Sequence, residues 1–593
     1  MEIFESIGLK INTIIEYLTG AVSRLGELPD GTALIYNAAA RWVFIFLATF
    51  ILIRSIVSLL SSRSPAEIWA YFNIDEENNV PITHWENLIG RSKQSDLQVD
   101  DPMVSRSHGT LSRHDDGTWT YMDLGSSNGT SVNGKRLKGG ESRAIEPGDE
   151  ISIGKSLCTI YPVSLEERNI NTDYRKKATF IFSPWTSIVA ITIFQIMTVI
   201  QLKFSMGEEY VNGITISFFA LALFMWTYVV AMRVMRRRAF EMETIAFFIS
   251  TLSLAVTASK YPESVFKQFL SIVIGVMLFI VMCTILRNLE RTKALRRYLI
   301  AASVAVLIFN LIMGTTKFGA NNWITIAGLS IQPSEIVKLA FIWVGAASLD
   351  ELMEKRNTMI FMIFSGFCFC CFALMGDFGT ALIFFVSFLV IIFLRSGDFT
   401  KVILIAGAAF VAGLLVLRFK AYIATRFSAW GHVWDFADDL GYQQTRTMSA
   451  TASGGLIGVG AGRGWLKSVA ASETDLVFGF VSEEWGLIIA ILAVLSIITL
   501  SIFAVRSILG GRSTYYTIAA CSAMSLFLFQ TMLNVFGSVD LLPLTGVTFP
   551  FLSTGGTSMV ASWGMLAFLK AADTRMNASL AVSNKVKEAE SGK

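Results

Sequence analysis

Charge is scarce in this sequence. Asp, Glu, Lys and Arg make up 16% of its 593 residues, against about a quarter in soluble domains, which excludes a wholly soluble chain. Neither sign dominates: 49 basic and 46 acidic residues leave a net charge of +3, too even for a nucleic-acid binder. Histidine is rarer still, with 4 copies and none in an HExxH-type spacing, so a zinc site has no support. The 6 cysteines are Cys158, Cys283, Cys368, Cys370, Cys371 and Cys521. Five of them lie inside apolar runs and none belongs to a paired framework, so free thiols are expected rather than disulfides.

What the chain has in quantity is apolar surface, with 53% hydrophobic residues and a mean hydropathy of +0.55. It is unevenly placed. From about Ser61 to Lys177 the sequence reads as a soluble protein, and beyond Phe180 it is almost continuously apolar. A first run, Trp42–Leu60, is long enough to span a membrane, with Arg54 snorkelling near its end. It lies too deep, and lacks the small-residue cleavage pattern, for a signal peptide. Twelve more runs follow, near 181–203, 210–233, 240–258, 264–286, 298–315, 334–350, 357–375, 378–395, 400–417, 476–505, 515–537 and 550–572. The basic connections Arg233 to Arg238, Arg287 to Arg297, Lys355-Arg356 and Arg506 to Arg512 agree with one topology under the positive-inside rule. That topology puts the polar insert and the C-terminal tail inside. The N-terminal segment and the loops near 316–333, 418–475 and 538–549 then lie outside.

Within the insert, residues 85–165 alternate in short segments such as Thr118 to Asp123 and Glu150 to Ile153, separated by Gly, Asn and Ser turns, the pattern of an all-β sandwich. Gly90-Arg91, Ser105-Arg-Ser-His108, Ser127-Asn-Gly-Thr130, Asn133-Gly134, Gly148-Asp149 and Ile153-Gly154 appear there in order. This ordered set resembles a forkhead-associated (FHA) domain. A phosphate needs a guanidinium fork and neutral hydroxyl and amide donors held on loops by a rigid sheet. The resemblance implies that Arg91, Ser105 and Ser127 hold phosphothreonine, that Asn128 fixes the peptide backbone, and that His108 buttresses the loops.

In the membrane half, polar residues at membrane depth are costly and usually functional. Gln332-Pro-Ser-Glu335 opens an apolar helix, and Glu335 and Lys338 share one face of it, as a functional pair or as an internal ion pair. Asp377 lies between two apolar runs, near the outer surface, and Glu483-Glu484 lie inside another run. Asn534, Pro543 to Gly546 and Pro550 to Gly556 suggest broken helices lining a cavity. The segment Arg418–Asp475 mixes basic residues (Arg418, Lys420, Arg426, Arg446, Arg463, Lys467) with acidic ones (Asp435, Asp438, Asp439, Glu473, Asp475) around a glycine series at 454–462. Such a loop suits an anionic substrate and a carboxylate base.

Together, Gln332-Pro-Ser-Glu335, Asp377 to Ala381, Gly441-Tyr-Gln443, Thr474-Asp475, Glu483-Glu484-Trp-Gly486 and Pro550 to Gly556 resemble the SEDS family (FtsW, RodA and SpoVE), the ten-helix peptidoglycan glycosyltransferases. The resemblance covers about 240–572. It implies a polytopic α-helical membrane protein: a ten-helix core, about three extra N-terminal spans (42–60 and two over 181–233), and an inserted cytoplasmic FHA sandwich at 85–165 between linkers 61–84 and 166–180, with a cytoplasmic tail at 573–593. It implies polymerisation of lipid II at the outer membrane face, with an acid in the long outer loop as base. The family acid usually sits at the position of Phe436; Asp435, beside Trp434, is the favoured base here over Asp438. The implied lipid II site comprises Trp323, Gln332, Glu335, Lys338, Asp377, Tyr442, Gln443, Arg446, Lys467, Asp475, Glu483 and Ser553. Asn322 replaces the Arg usual before this Trp, Arg446-Thr447 replaces a Gln-Ser pair, and Glu473 stands where His is usual.

No cofactor is required, and a divalent ion (Mg or Mn) on the pyrophosphate is admitted. The implied partners are lipid II, a class B penicillin-binding protein, and a threonine-phosphorylated protein, hence a Ser/Thr kinase. The competing expectations are a lipid II flippase, which intramembrane charge would suit, and a non-catalytic phospho-dependent scaffold.

Overall fold

A computed structural model describes every residue except 1, 26–29, 62–65, 76–77, 94, 115–116, 179–180, 318–319, 327–328, 350–354, 420–426, 508–512, 576 and 582–593. Lys420, Arg426 and most of the tail from 573 therefore lie outside the described residues. Two helices, α1 (Glu2–Leu25) and α2 (Asp30–Ser61), open the chain. Eleven strands follow: β1 (Ala70–Ile74), β2 (Asn78–Ile82), β3 (Glu86–Gly90), β4 (Leu97–Gln98), β5 (Gly109–Arg113), β6 (Trp119–Asp123), β7 (Thr130–Val132), β8 (Lys135–Arg136), β9 (Ser142–Ile145), β10 (Glu150–Ile153) and β11 (Ser156–Pro162). They form a two-sheet sandwich with orders β2-β1-β11-β10-β7-β8 and β4-β3-β5-β6-β9. Its core is Phe72, Ile89, Leu111, Tyr121, Ile151, Ile153 and Ile160, all buried, drawn from the alternate positions of both inner faces.

The stretch 61–84, expected to be a linker, therefore contains two strands, β1 and β2. β2 reads Asn-Asn-Val-Pro-Ile, without a strand's apolar alternation. It forms because it is an edge strand, where Pro81 costs no interior ladder bond. Asp75, with φ 53°, turns the chain back into it.

Beyond the sandwich the chain is helical: α3 (Leu165–Ala178), α4 (Trp185–Met206), α5 (Asn212–Val234), α6 (Glu241–Lys260), α7 (Val265–Ile285), α8 (Leu289–Met313), α9 (Pro333–Leu349), α10 (Lys355–Met375), α11 (Phe378–Ser396) and α12 (Phe399–Phe419). After these come α13 (Tyr442–Gly454), α14 (Val477–Glu484), α15 (Leu487–Ser507), α16 (Thr514–Ser538) and α17 (Gly556–Ala572). A small hairpin sheet of β12 (Thr315–Lys317), β13 (Ala320–Ile326) and β14 (Leu329–Ile331) joins α8 to α9. Among the described residues 10 helices are long and apolar enough to cross a membrane, and the protein is an integral membrane protein. The apolar runs holding α9 and α17 carry helices of 17 residues each. The run 476–505 carries two helices, because the chain breaks at Gly486, whose φ of +96° suits glycine alone. The helix carrying the first span starts at Asp30, earlier than the apolar run suggests; α1 precedes it in the N-terminal segment, and α13 lies within the stretch 418–475 expected to be a loop. All 6 cysteines are free.

Helix α6 is buried along its whole length and serves as a ruler through the bundle. Its 20 residues span about 30 Å. At its C-terminal end Lys260 reaches Val469 O (2.7 Å), Ser472 Oγ (2.8 Å) and Glu473 Oε2 (2.6 Å) in the long loop segment. At its N-terminal end Glu241 receives both Arg575 guanidinium Nη atoms (3.1 Å each) and the Ser58 hydroxyl. Arg575 also binds Asp573, at 2.9 and 2.8 Å. Next to it Lys570 pairs with Glu243 at 2.7 Å, and Tyr228 donates to the same carboxylate at 3.2 Å. The bundle thus has a tail end, carrying Lys570, Asp573 and Arg575 with Ser58 and Phe182 from the two sides of the β-sandwich insert, and a loop end, carrying residues 427–475. Arg175 of α3 fastens the insert to the tail end through Thr574 O (3.0 Å) and Glu67 (3.2 Å).

Buried ion pairs stabilise little compared with apolar contacts, but losing one partner strands the other in a low dielectric. Arg575→Met leaves Glu241 and Asp573 buried and unpaired, with an expected cost of about 3–5 kcal/mol. Thermal unfolding in detergent measures this, and a midpoint equal to wild type would contradict the network's role.

Candidate functional sites

At the loop end the backbone is gathered by two adjacent carboxylates. Glu483 accepts from Trp465 N and Leu466 N, both at 2.9 Å. Glu484 accepts from Gly462 N (3.0 Å), Gly464 N (3.3 Å) and Ser259 Oγ (2.5 Å). The carbonyls of the same two residues accept from Val459 N and Gly460 N, both at 2.9 Å. Segment 458–466 is thus wrapped on the C-terminal end of α14. Gly458, at φ +80°, is needed there because a Cβ would lie 2.4 Å from the Glu484 carbonyl oxygen. Glu483, expected among substrate-binding residues, is spent on this loop.

Next to this loop stands α13. Its Gln443 Nε2 donates to Ala470 O at 2.9 Å. Lys467 Nζ donates to Gly462 O at 3.3 Å. Arg446 lies 3.7 Å from Asp438 and 5.1 Å over the Tyr442 ring, so three expected site residues meet on one exposed face. Asp435 lies in a short 3-10 turn, Val433–Phe436, and is exposed. Among the described residues it has no cationic partner.

The turn Glu473-Thr474-Asp475 is stitched to the last broken segment. Asn534 Nδ2 donates to Thr474 O (3.2 Å), Asp475 O (3.0 Å) and Val547 O (2.9 Å). Ser553 Oγ donates to Thr474 O at 2.6 Å, and Thr554 N to Glu473 O at 2.9 Å. Asp475 and Ser553, expected in the substrate site, therefore belong to one hydrogen-bonded seam. Ala471 precedes it with φ 58°, a left-handed conformation that side-chain-bearing residues rarely adopt.

The remaining expected residues form separate pairs. Lys338 Nζ donates to Glu335 Oε1 at 2.7 Å, with Lys338 1% exposed, so the spacing makes an internal ion pair. Gln332 N donates to Thr557 Oγ1 at 3.4 Å. Asp377 caps α11 by accepting Thr380 N (3.0 Å) and also receives Asn322 Nδ2 at 2.6 Å. Asn322 thus anchors the hairpin in which Trp323 faces Thr315. Among the described residues no hydrogen bond or ion pair joins Glu335, Lys338 or Asp377 to Asp435, Asp438 or Arg446. Sequence reasoning missed Lys260 as the counter-charge of Glu473, and Ser259 as a partner of Glu484. Nothing at local spacing links either pair.

On the β-sandwich, Arg91, Ser105, Ser127 and Asn128 lie on loops at one end of the sheets. Ser127 N donates to Ser105 Oγ at 3.1 Å. Asn128 Nδ2 donates to Met103 O at 2.6 Å, and Arg136 Nη2 to Asn128 O at 2.9 Å. Beneath them Asp123 accepts from Gly125 N (2.8 Å), Ser126 N (2.8 Å), Ser126 Oγ (2.7 Å) and Thr130 Oγ1 (2.7 Å). Burial pushes its carboxyl up, but these bonds outweigh burial and hold it below its ordinary value. His108 is fully buried. Ser105 N donates to its Nδ1 at 3.1 Å, so the proton belongs on Nε2, which points to Asp123 Oδ2 at 3.9 Å.

Burial holds the His108 imidazole below its ordinary 6.5, with Asp123 opposing. A depressed imidazole favours the folded state in its neutral form, so this stability is complete above about pH 6.5 and is lost as pH falls below it. Asp123 contributes in a lower window, lost only as pH falls below about 4. Protection factors of amides in β5 and β6, corrected for the intrinsic pH dependence of exchange, should therefore fall as pH drops below about 6.5, and fall less in His108→Gln; pH-independent protection factors would remove this account.

Comparisons agree with this division. The FtsW/RodA/SpoVE family model, described as "Cell cycle protein", matches residues 239–578, and the FHA domain model matches residues 87–154. A probable peptidoglycan glycosyltransferase FtsW of Borreliella burgdorferi is 27% identical over 331 residues, covering 54% of this chain and 90% of that protein. A probable peptidoglycan glycosyltransferase FtsW of Moranella endobia is 31% identical over 272 residues, covering 44% of this chain and 71% of that protein. A solved chain described under structural coordination of polymerization and crosslinking by a peptidoglycan synthase complex is 23% identical, with a TM-score of 0.47, over 57% of this chain and 98% of that chain.

Proposed function

Since residues 239–578 make this chain a member of the FtsW/RodA/SpoVE family, we propose that it is a peptidoglycan glycosyltransferase that polymerises lipid II at the loop end of the bundle. What supports the reading is the build of the loop end: Glu483 and Glu484 fold segment 458–466, on which Lys467 is held, while Arg446 faces Asp438 on the exposed side of α13 and Asp435 is exposed in the turn before it. In the transfer, the 4-hydroxyl of one sugar attacks the anomeric carbon of another, the bond to undecaprenyl pyrophosphate breaks, and the hydroxyl proton passes to a carboxylate. Asp435 is the base we favour, because Asp438 already faces Arg446. Arg446 and Lys467 supply positive charge to the departing pyrophosphate. Among the described residues no group of three or more His, Cys, Asp or Glu side chains is placed to hold a metal ion.

The FHA module is a phosphothreonine reader, with Arg91, Ser105 and Ser127 on the phosphate and Asn128 on the peptide backbone. Its partner is a threonine-phosphorylated protein, which implies a Ser/Thr kinase. A class B penicillin-binding transpeptidase is the proposed partner of the membrane half. The tail end, with the module and the basic connections, faces the cytoplasm, and the loop end faces outward. A flippase reading gains little, since the buried charges Lys338, Lys570 and Arg575 each have an acidic partner.

With its transpeptidase partner, the purified protein should polymerise labelled lipid II, and Asp435→Ala should lower the rate about 100-fold or more. Unchanged polymerisation in both Asp435→Ala and Asp438→Ala, with lipid translocation observed, would favour transport instead. Arg91→Ala should weaken binding of a phosphothreonine peptide by about tenfold or more, as charge-assisted bonds to phosphate are lost. Equal wild-type binding of the unphosphorylated peptide would defeat the reader assignment.

A further inference from the structure

Helices α2 and α4 lie outside the 239–578 family span, yet both end on the glycine loop of the site. Arg41 of α2 donates through Nη1 to Gly458 O at 3.0 Å, and its Nε holds Asn37 O at 3.1 Å. From α4, Gln201 Oε1 accepts Ala461 N at 3.1 Å, and Ser205 Oγ donates to Ala461 O at 2.6 Å. Gln201 and Ser205 are one turn apart, so one helix face satisfies both backbone polar groups of one loop residue, Ala461. The fit is close: a Cβ at Gly462 would lie 2.5 Å from Ser205 Oγ, and one at Gly460 3.1 Å from Gln201 Nε2. Tyr36 OH donates to Met197 O at 2.7 Å, binding the two helices to each other at this level.

The loop is therefore clamped from both sides. The family core holds it through Glu483 and Glu484, and the added helices hold it through Arg41, Gln201 and Ser205. At their other ends the same two helices flank the phosphopeptide module in the chain, with α3 between the module and α4. There Ser58 of α2 donates to Glu241 and accepts Phe182 N (3.2 Å), just before α4. We propose that α2 and α4 form a strut that sets the position of segment 458–466, making Arg41, Gln201 and Ser205 positioning residues for the transfer reaction. Their effect reaches substrate through Lys467, whose ammonium is held on Gly462 O. The inference rests on the glycosyltransferase reading for its kinetic half only.

The test is made on the full chain with its transpeptidase partner, using labelled lipid II and amide hydrogen exchange. In the double variant Gln201→Met, Ser205→Ala, two loop hydrogen bonds are lost at conserved shape. KM for lipid II should rise about tenfold with kcat changed less than about twofold, and amides 458–466 should exchange faster. Arg41→Met should do the same to a smaller degree, and Arg41→Lys, which keeps a donor for Gly458 O, should restore most of the loss. Phosphothreonine-peptide affinity should stay at wild type, which reports an intact module. Loop exchange at the wild-type rate would overturn the strut, and faster exchange with unchanged KM would overturn the positioning role. A wild-type chain that fails to polymerise lipid II would sink the enzyme reading instead, while the exchange comparison would still decide the strut.

Discussion

Glu483 and Glu484 are two neighbouring carboxylates at the end of a buried helix, and between them they accept four backbone N–H groups and one hydroxyl. Left unsatisfied, such groups would be costly to bury. Satisfied, they fix a loop rich in glycine, whose Ala461 and Leu466 are buried in the core. Everything near the site then follows from this gathering. Lys467 and Trp465 take their positions from the folded backbone. Gln443 ties α13 to the same loop, and the seam through Asn534 and Ser553 adds the next turn. The interaction works because acceptor geometry and glycine freedom coincide at the Gly486 break.

The sequence made some of this legible and hid the rest, for physical reasons. Glu335 and Lys338 were readable because an i,i+3 spacing on a helix brings partners together without knowledge of the fold. The phosphopeptide module was readable because its loop residues come in a fixed order along one short stretch. By contrast, Lys260 and Glu473 are more than 200 residues apart, and Arg575 meets Glu241 at a separation of 334 residues. No periodicity carries information over such distances. Strand β2 was hidden because an edge strand needs only one partner and tolerates Pro81 and paired asparagines.

Charge placement in the membrane half follows one rule. The buried cations Lys338, Lys570 and Arg575, and the Lys260 ammonium, each have an anion within hydrogen-bond reach, and these pairs lie at the two ends of α6 or within α9. That arrangement is costly to break but adds little net stability. Its value is in register: a tail residue such as Arg575 can close the bundle in only one way. The exposed charges of the loop end, Asp435, Asp438 and Arg446, are different in kind, because water reaches them and a ligand can compete for them.

The sandwich closes on itself where it enters and leaves. Strands β1 and β11 are neighbours, with Ala70 opposite Pro162, so the module's two ends stand side by side. To the helices on either side, a whole folded domain is geometrically equivalent to a short hairpin turn. A membrane protein can gain such a domain between two consecutive helices without altering how they pack. By the same logic, the sensor could be exchanged for another of similar end-to-end spacing, leaving the catalytic bundle untouched.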